Sequence, residues 1–218
     1  NFPLNIAGWK FAPALAAGCT IVLKPASETP LTALLMGEIF AEAGLPAGAF
    51  NVVSGHGSTA GSALVRHPGV DKISFTGSTA VGQRIMRDAA DTVKRLTLEL
   101  GGKSPNIIFD DAGLAAAVRG AQNGIFYGKG EVCAAGSRLL VHRKVKDRVV
   151  EQLAERTKTL LPGDPFDKTI RLGAIVSATD VRKATEEQVK SLGAKFVFAD
   201  VADAATSGGY AKELSAED

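Results

Sequence analysis

The chain has 218 residues, 45% of them hydrophobic, and its 25 Lys/Arg against 23 Asp/Glu leave a formal net charge of +2. That is enough apolar material for one large or two smaller domains with a hydrophobic core. Charges of both signs are interleaved along the whole length, so no basic patch or acidic tail marks a nucleic-acid or membrane partner.

Two distant cysteines, Cys19 and Cys133, and three scattered histidines, His56, His67 and His142, provide neither a disulfide framework nor a zinc site. The longest apolar stretch, Phe11 to Leu23, is broken by Pro13 and Gly18 and is too short for a bilayer. With no signal peptide ahead of it, the expected compartment is a reducing cytoplasm. The chain opens at Asn1, without Met, on an apolar segment that reads as the interior of a domain, so residues are expected upstream.

In chain order, Thr20 to Lys24 reads as a strand, about Pro30 to Ala43 as a helix and Phe50 to Val53 as a strand. Ser58 to Arg66 follows as a helix, Asp71 to Phe75 as a strand and Ser78 to Ala89 as a helix. Leu96 to Leu100 is a strand that ends on Gly101-Gly102, where a change of direction or a domain crossing is expected. Beyond it come a strand from Asn106 to Phe109, a helix from Ala112 to Phe126 and a strand from Arg138 to His142. An amphipathic helix from Val145 to Leu161 is stopped by Pro162-Gly163-Asp164-Pro165. Ala174 to Val176 reads as a strand, the charged run to about Leu192 as a helix, and Lys195 to Phe198 as a strand, with a loose tail from Thr206. This alternation predicts an α/β fold of βαβ units, with mostly parallel, Rossmann-like sheets and flanking helices.

Five places can carry chemistry. Cys133 lies in Gly130-Glu131-Val132-Cys133-Ala134-Ala135-Gly136-Ser137-Arg138, a small-residue loop between a helix and a strand where substrate can reach a thiolate. Alone, such a cysteine reads as a small buried hydrophobe. Glu99 closes an otherwise apolar strand, a place for a carboxylate that faces a cleft or simply turns to solvent. Asn1 offers an amide to an oxyanion together with the Cys133 N–H, or else caps a helix. Lys24, at a strand end before Pro25, suits a ribose hydroxyl at the carboxyl edge of a parallel sheet, or is a plain exposed lysine. Phe75-Thr76-Gly77-Ser78-Thr79-Ala80-Val81-Gly82 is a strand, glycine turn and helix start that suits a pyrophosphate, although it is no G-x-G-x-x-G fingerprint.

Taken together, in this order and spacing, these stretches resemble the aldehyde dehydrogenase superfamily. The matching pieces are Asn1 to Leu4 with Trp9-Lys10, Leu23 to Pro30, Phe75 to Gly82, Leu98 to Pro105, and Gly130 to Arg138, and the resemblance runs over residues 1 to about 171. It implies NAD(P)-dependent oxidation of a small-molecule aldehyde, with Cys133 as nucleophile, Glu99 as the base for the deacylating water, Asn1 as oxyanion donor and Lys10 lining the site. It further implies that Lys24 holds the adenosine ribose, that Gly57 and Ser78, with Phe75 and Gly77, follow the adenine and pyrophosphate path, and that Val81 and Leu100 pack on the cofactor. Many NAD-preferring members place a Glu three residues after the lysine. Here Ser27 stands there, with Glu28 next to it, so a 2′-phosphate is not repelled at that position and NADP is expected to be accepted as well as NAD.

The family's chain normally begins upstream of Asn1 and ends well beyond this sequence, past a Glu-bearing motif that grips the nicotinamide ribose and an oligomerisation hairpin. The expected divisions are therefore a partial cofactor domain over 1–101, a partial catalytic domain over 102–171 and a third segment over 172–218. In that last segment Arg171 to Arg182, Glu187 to Val197 and Gly208 to Ser215 resemble the NAD-binding domain of the proton-translocating transhydrogenase alpha subunit, with Asp180 at the end of a strand, so a fusion near Leu172 is expected. Against the enzymatic reading stands a truncated or fused remnant that binds nucleotide weakly and associates, with copies of itself or another chain, through unpaired sheet edges.

Overall fold

The computed structural model describes residues 1–174. The chain divides into two units, Asn1–Gly101 and a second that begins at Gly102. The strand and helix expected after Ala174, Asp180, and the tail lie outside the described residues. Both units repeat one device: a strand, a crossover helix and a second strand paired parallel to the first, the connection that parallel pairing requires.

The first unit opens with a helix that the sequence pattern did not reveal, α1 (Pro3–Ala16). Pro3 suits a first helical turn, where its missing N–H costs nothing, whereas Pro13 removes one internal hydrogen bond near the end. Gly18 stops the helix at a left-handed φ of 76°, with its N–H donating to the Leu15 carbonyl at 3.0 Å and the Cys19 N–H to the Ala14 carbonyl at 2.9 Å. The apolar run from Phe11 to Leu23 is thus helix end, cap and strand in succession.

β1 (Ile21–Leu23), α2 (Leu31–Glu42) and β2 (Phe50–Val52) form the first crossover, with Ile21 opposite Phe50 and Leu23 opposite Val52. Its core joins Ala7 of α1 to Leu23 and Ala33, and Phe11, Phe40 and Phe50 meet edge to face with ring centroids 4.9–5.7 Å apart.

A wide π-type turn over Gly57–Gly61 then runs into α3 (Ser62–Arg66), together filling the helix expected there. β3 (Lys72–Gly77), α4 (Thr79–Ala89) and β4 (Arg95–Leu100) make the second crossover. Ile73, Phe75, Leu96 and Leu98 face inward onto Val65, Ile85 and Ala89. By the pleat, the outward face carries three polar pairs, Lys72 with Arg95, Ser74 with Thr97 and Thr76 with Glu99. A Cβ on Gly82 would lie 2.7 Å from Leu100 Cδ2, so the bare glycine leaves the room that the Leu100 side chain fills between α4 and β4.

In the second unit β5 (Pro105–Ile108), α5 (Leu114–Phe126), β6 (Arg138–Val141) and α6 (Lys146–Thr157) enclose Ile108, Val118, Ala121 and Val149. Arg156 Nε donates to the Gln122 amide oxygen at 2.7 Å, tying α6 to α5 beside that core. α6 ends at Thr157, ahead of the expected Leu161. Thr157 and Thr159 turn their hydroxyls back onto the Ala154 and Arg156 carbonyls at 2.9 and 3.0 Å, a local alternative to continuing the helix. No helix among the described residues is long and apolar enough to cross a membrane.

Candidate active site

Parallel strands present ligands at their carboxyl ends, and the expected cofactor residues lie at two such ends. After β1, the half-buried Lys24 donates from Nζ to the Pro25 carbonyl and, at 3.3 Å, to the Gly55 carbonyl beyond β2. Its stem passes the turn that starts at Gly57, since a Cβ on Gly61 would sit 3.7 Å from Lys24 Cδ and Cε. Ser27 and Glu28 are exposed in the loop that follows.

After β3, the Phe75 ring folds over Gly77, where a Cβ would come within 2.5 Å of it. Ser78 caps α4, its hydroxyl accepting from the Val81 N–H at 3.4 Å. Helix geometry leaves the first-turn N–H groups of α4 without partners inside the helix, and the Ser78 hydroxyl meets that of Val81. Val81 is exposed on that turn, and Leu100 closes β4 against Gly82.

The outward face of the β3–β4 ladder holds a polar cluster. Lys10, on α1, donates from Nζ to the Ser74 hydroxyl at 3.2 Å and to the Thr76 hydroxyl at 3.0 Å. Burial holds the ammonium of Lys10 below the usual lysine range, while the Glu99 carboxylate pulls it back up. Glu99 is exposed and pairs with Thr76 in the ladder. Lys10 and Glu99 are therefore brought together, around two hydroxyls that the sequence reading passed over. The only signal for them was alternation, Ser74 and Thr76 being the polar positions between Ile73, Phe75 and Gly77. Asn1 is exposed just before α1, and Phe2 rather than Asn1 occupies the helix-cap position, so the capping role does not hold.

Cys133 stands in the second unit, on the turn between α5 and β6, and its side chain is exposed. The reading of a small buried hydrophobe is therefore set aside. The turn is shaped from both sides. Gly128, Lys129 and Gly130 take left-handed φ of 58°, 63° and 75°, and Lys129 pairs with Glu131 at 3.3 Å. On the far side, Ala135 is buried and the Gly136 N–H donates to the Gly124 carbonyl at 2.8 Å. Arg138 Nε donates to the Lys103 carbonyl at 2.7 Å. Gly102 lies against the backbone of Cys133, for a Cβ there would be 3.1 Å from the Cys133 carbonyl oxygen. In the sequence the Gly101-Gly102 pair reads as a change of direction or a domain crossing and does not point to Cys133, because a contact across so many residues leaves no local trace.

Comparison with known proteins gives one consistent result. The model of the Aldehyde dehydrogenase family matches residues 1–212, running on past Leu172 through much of the segment that resembles the transhydrogenase. Betaine aldehyde dehydrogenase of Brucella ovis is 50% identical over 178 residues, 82% of this chain and 36% of that protein. Among solved structures, gamma-glutamyl-gamma-aminobutyraldehyde dehydrogenase from Burkholderia cenocepacia J2315 is 50% identical with a TM-score of 0.81, over 84% of this chain and 37% of that one. Betaine aldehyde dehydrogenase from Staphylococcus aureus, solved in complex with NAD+, is 42% identical with a TM-score of 0.86, over 91% and 40%. The chain thus spans little more than a third of the length of the relatives it matches.

Proposed function

Since the chain belongs to the aldehyde dehydrogenase family, we propose that its residues serve the NAD(P)-dependent oxidation of an aldehyde to a carboxylic acid, with Cys133 as nucleophile. The exposed thiol on a turn fixed by Gly102, Gly124 and Arg138 is the observation that carries this reading.

The Cys133 thiolate adds to the aldehyde carbonyl carbon, and the new oxyanion accepts from the Asn1 amide and the Cys133 N–H. NAD or NADP, when bound, supplies the electron acceptor for the oxidation. The residues present fit such a dinucleotide: Lys24, Ser27 and Gly57 at one strand end, and Phe75, Gly77, Ser78, Val81 and Leu100 around the capped start of α4 at the other. Oxidation leaves a thioester on Cys133. Glu99 takes a proton from water as its oxygen attacks the thioester carbonyl, which releases the acid and returns the thiolate. Ser27 places no carboxylate against a 2′-phosphate, so NADP is accepted alongside NAD. A reducing compartment, the cytoplasm, belongs to the same proposal, because the nucleophile must stay a free thiol.

Stopped-flow formation of NAD(P)H with a reactive aldehyde, comparing the chain with Cys133→Ala, tests this directly. A burst in the first and none in the second is expected, and superimposable traces overturn the mechanism. A second reading, a non-catalytic piece that binds nucleotide weakly and packs on a larger partner or on its own copies, is favoured by Ile107, Phe109 and Leu140, which are 55%, 62% and 53% exposed around the β5–β6 ladder.

A further inference from the structure

Lys10 carries the one charge of α1, and the helix delivers it to the outward face of the β3–β4 ladder. An ammonium has three protons to donate and loses solvation there. Two of its donors are met by hydroxyls of alternate residues on a single strand, Ser74 at 3.2 Å and Thr76 at 3.0 Å. Alternation matters, since in a strand only residues two apart share a face. Thr76 is also the ladder partner of Glu99, which places the proposed base beside the same two hydroxyls.

We propose that Ser74 and Thr76 are positioning residues, which hold the Lys10 ammonium against the strand face beside Glu99. The inference rests on the reading of Glu99 as the base and deepens it. Without the hydroxyls the lysine stem is free to swing along an exposed helix, and the cation no longer stands at a fixed place relative to the carboxylate. The hydroxyls also favour the charged form by accepting from it, against the burial that disfavours it. The charged groups on this face are Glu99 next to Thr76, with Lys72 and Arg95 paired at the opposite end of the ladder; α1 contributes no other.

The test reads Lys10 itself. In the full chain, trace acetylation across a pH series, quantified by mass spectrometry peptide by peptide, yields the titration midpoint of Lys10, with exposed Lys72 on the same strand as internal control. Lys10 is expected to react at lower pH than Lys72. Ser74→Ala removes one acceptor and moves the Lys10 midpoint down by about one pH unit, roughly a tenfold gain in reactive amine at fixed pH, with Lys72 unmoved. Ser74→Thr restores the original midpoint, and Glu99→Gln lowers it by removing the attraction. A Lys10 midpoint that is the same with and without the Ser74 hydroxyl overturns the proposal. No aldehyde or cofactor enters this measurement, so a failed NAD(P)H burst leaves the positioning role standing, and an unmoved midpoint leaves the Cys133 chemistry standing.

Discussion

The crossover β3–α4–β4 of the first unit and the crossover β5–α5–β6 of the second share a plan and differ on one face. Inward, both are chiefly hydrocarbon: Ile73, Phe75, Leu96 and Leu98 over Ile85 and Ala89 in one, Ile108, Leu139 and Val141 over Val118 and Ala121 in the other, where the half-buried Asn106 shares the face of Ile108. Outward, the first shows hydroxyls, a carboxylate and a docked ammonium, whereas the second shows Ile107 and Leu140 with Phe109 just beyond, and Arg138 opposite Pro105 at the other end. Parallel sheets are ordinarily covered on both sides. The outward face of the first carries the polar groups proposed above for chemistry, and that of the second leaves apolar side chains exposed. The same local fold thus carries two kinds of outward face, and side-chain parity along the strand decides which residues each one shows.

The comparison breaks most visibly at Val149, which is fully buried in the second unit. Val149→Asp places a carboxylate in that core and costs more than about 4 kcal/mol, which hydrogen exchange reads as lost protection across α5 and α6. The amides of β3 and β4 should keep theirs; if they lose protection in parallel, the two regions are one cooperative body. Next in size is Gly102→Ala. Its Cβ presses on the Cys133 carbonyl, and single-turnover NAD(P)H formation from an aldehyde in the presence of NAD(P)+ should slow by about tenfold. An unchanged rate would remove Gly102 from any part in placing Cys133.

Ser78→Ala strips the cap from α4 and lowers stability by about 1 kcal/mol in urea unfolding, with weaker nucleotide binding alongside. The smallest effects are in pH. The Lys144 hydrogen bond, chiefly, holds the exposed Asp110 carboxyl of the second unit below the ordinary carboxylate range. The folded state thus releases this proton more readily than the unfolded one. The contribution is complete above the ordinary carboxylate value and is lost as pH falls through the folded value. Thermal melts between about pH 5 and about pH 2 should show a shallower acid loss in Lys144→Ala. In the first unit the window lies at the other end of the scale. Burial lowers Lys10, the folded state binds fewer protons there, and stability rises as pH climbs through the interval just beneath the ordinary lysine value.

Strand runs and crossover helices were legible from periodicity because each segment has one buried side, and β1 to β6 fall within a residue or two of the expected positions. α1 was not, since an almost wholly apolar helix containing Pro13 has no face to read, and it runs through Gly18 into an apolar strand. Of the proposed site residues, Ser78 was legible as the start of a helix after a glycine turn, because that pattern is local, whereas its capping hydrogen bond came from the structure. The meeting of Lys10 with Ser74 and Thr76, and of Gly102 with the Cys133 carbonyl, joins residues dozens of positions apart, and no pattern in a single sequence encodes such contacts.

Three successive residues, Gly128, Lys129 and Gly130, wind the chain left-handed just ahead of Cys133. For an L-amino acid other than glycine this hand costs roughly 1 kcal/mol or more at each step, so Lys129 carries a penalty that its pairing with Glu131 helps to offset. The permitted vocabulary of that stretch is accordingly narrow. In a randomised library selected for an intact thiol-bearing turn, glycine should dominate at 128 and 130, asparagine or aspartate should be the main intruders, and β-branched residues should vanish.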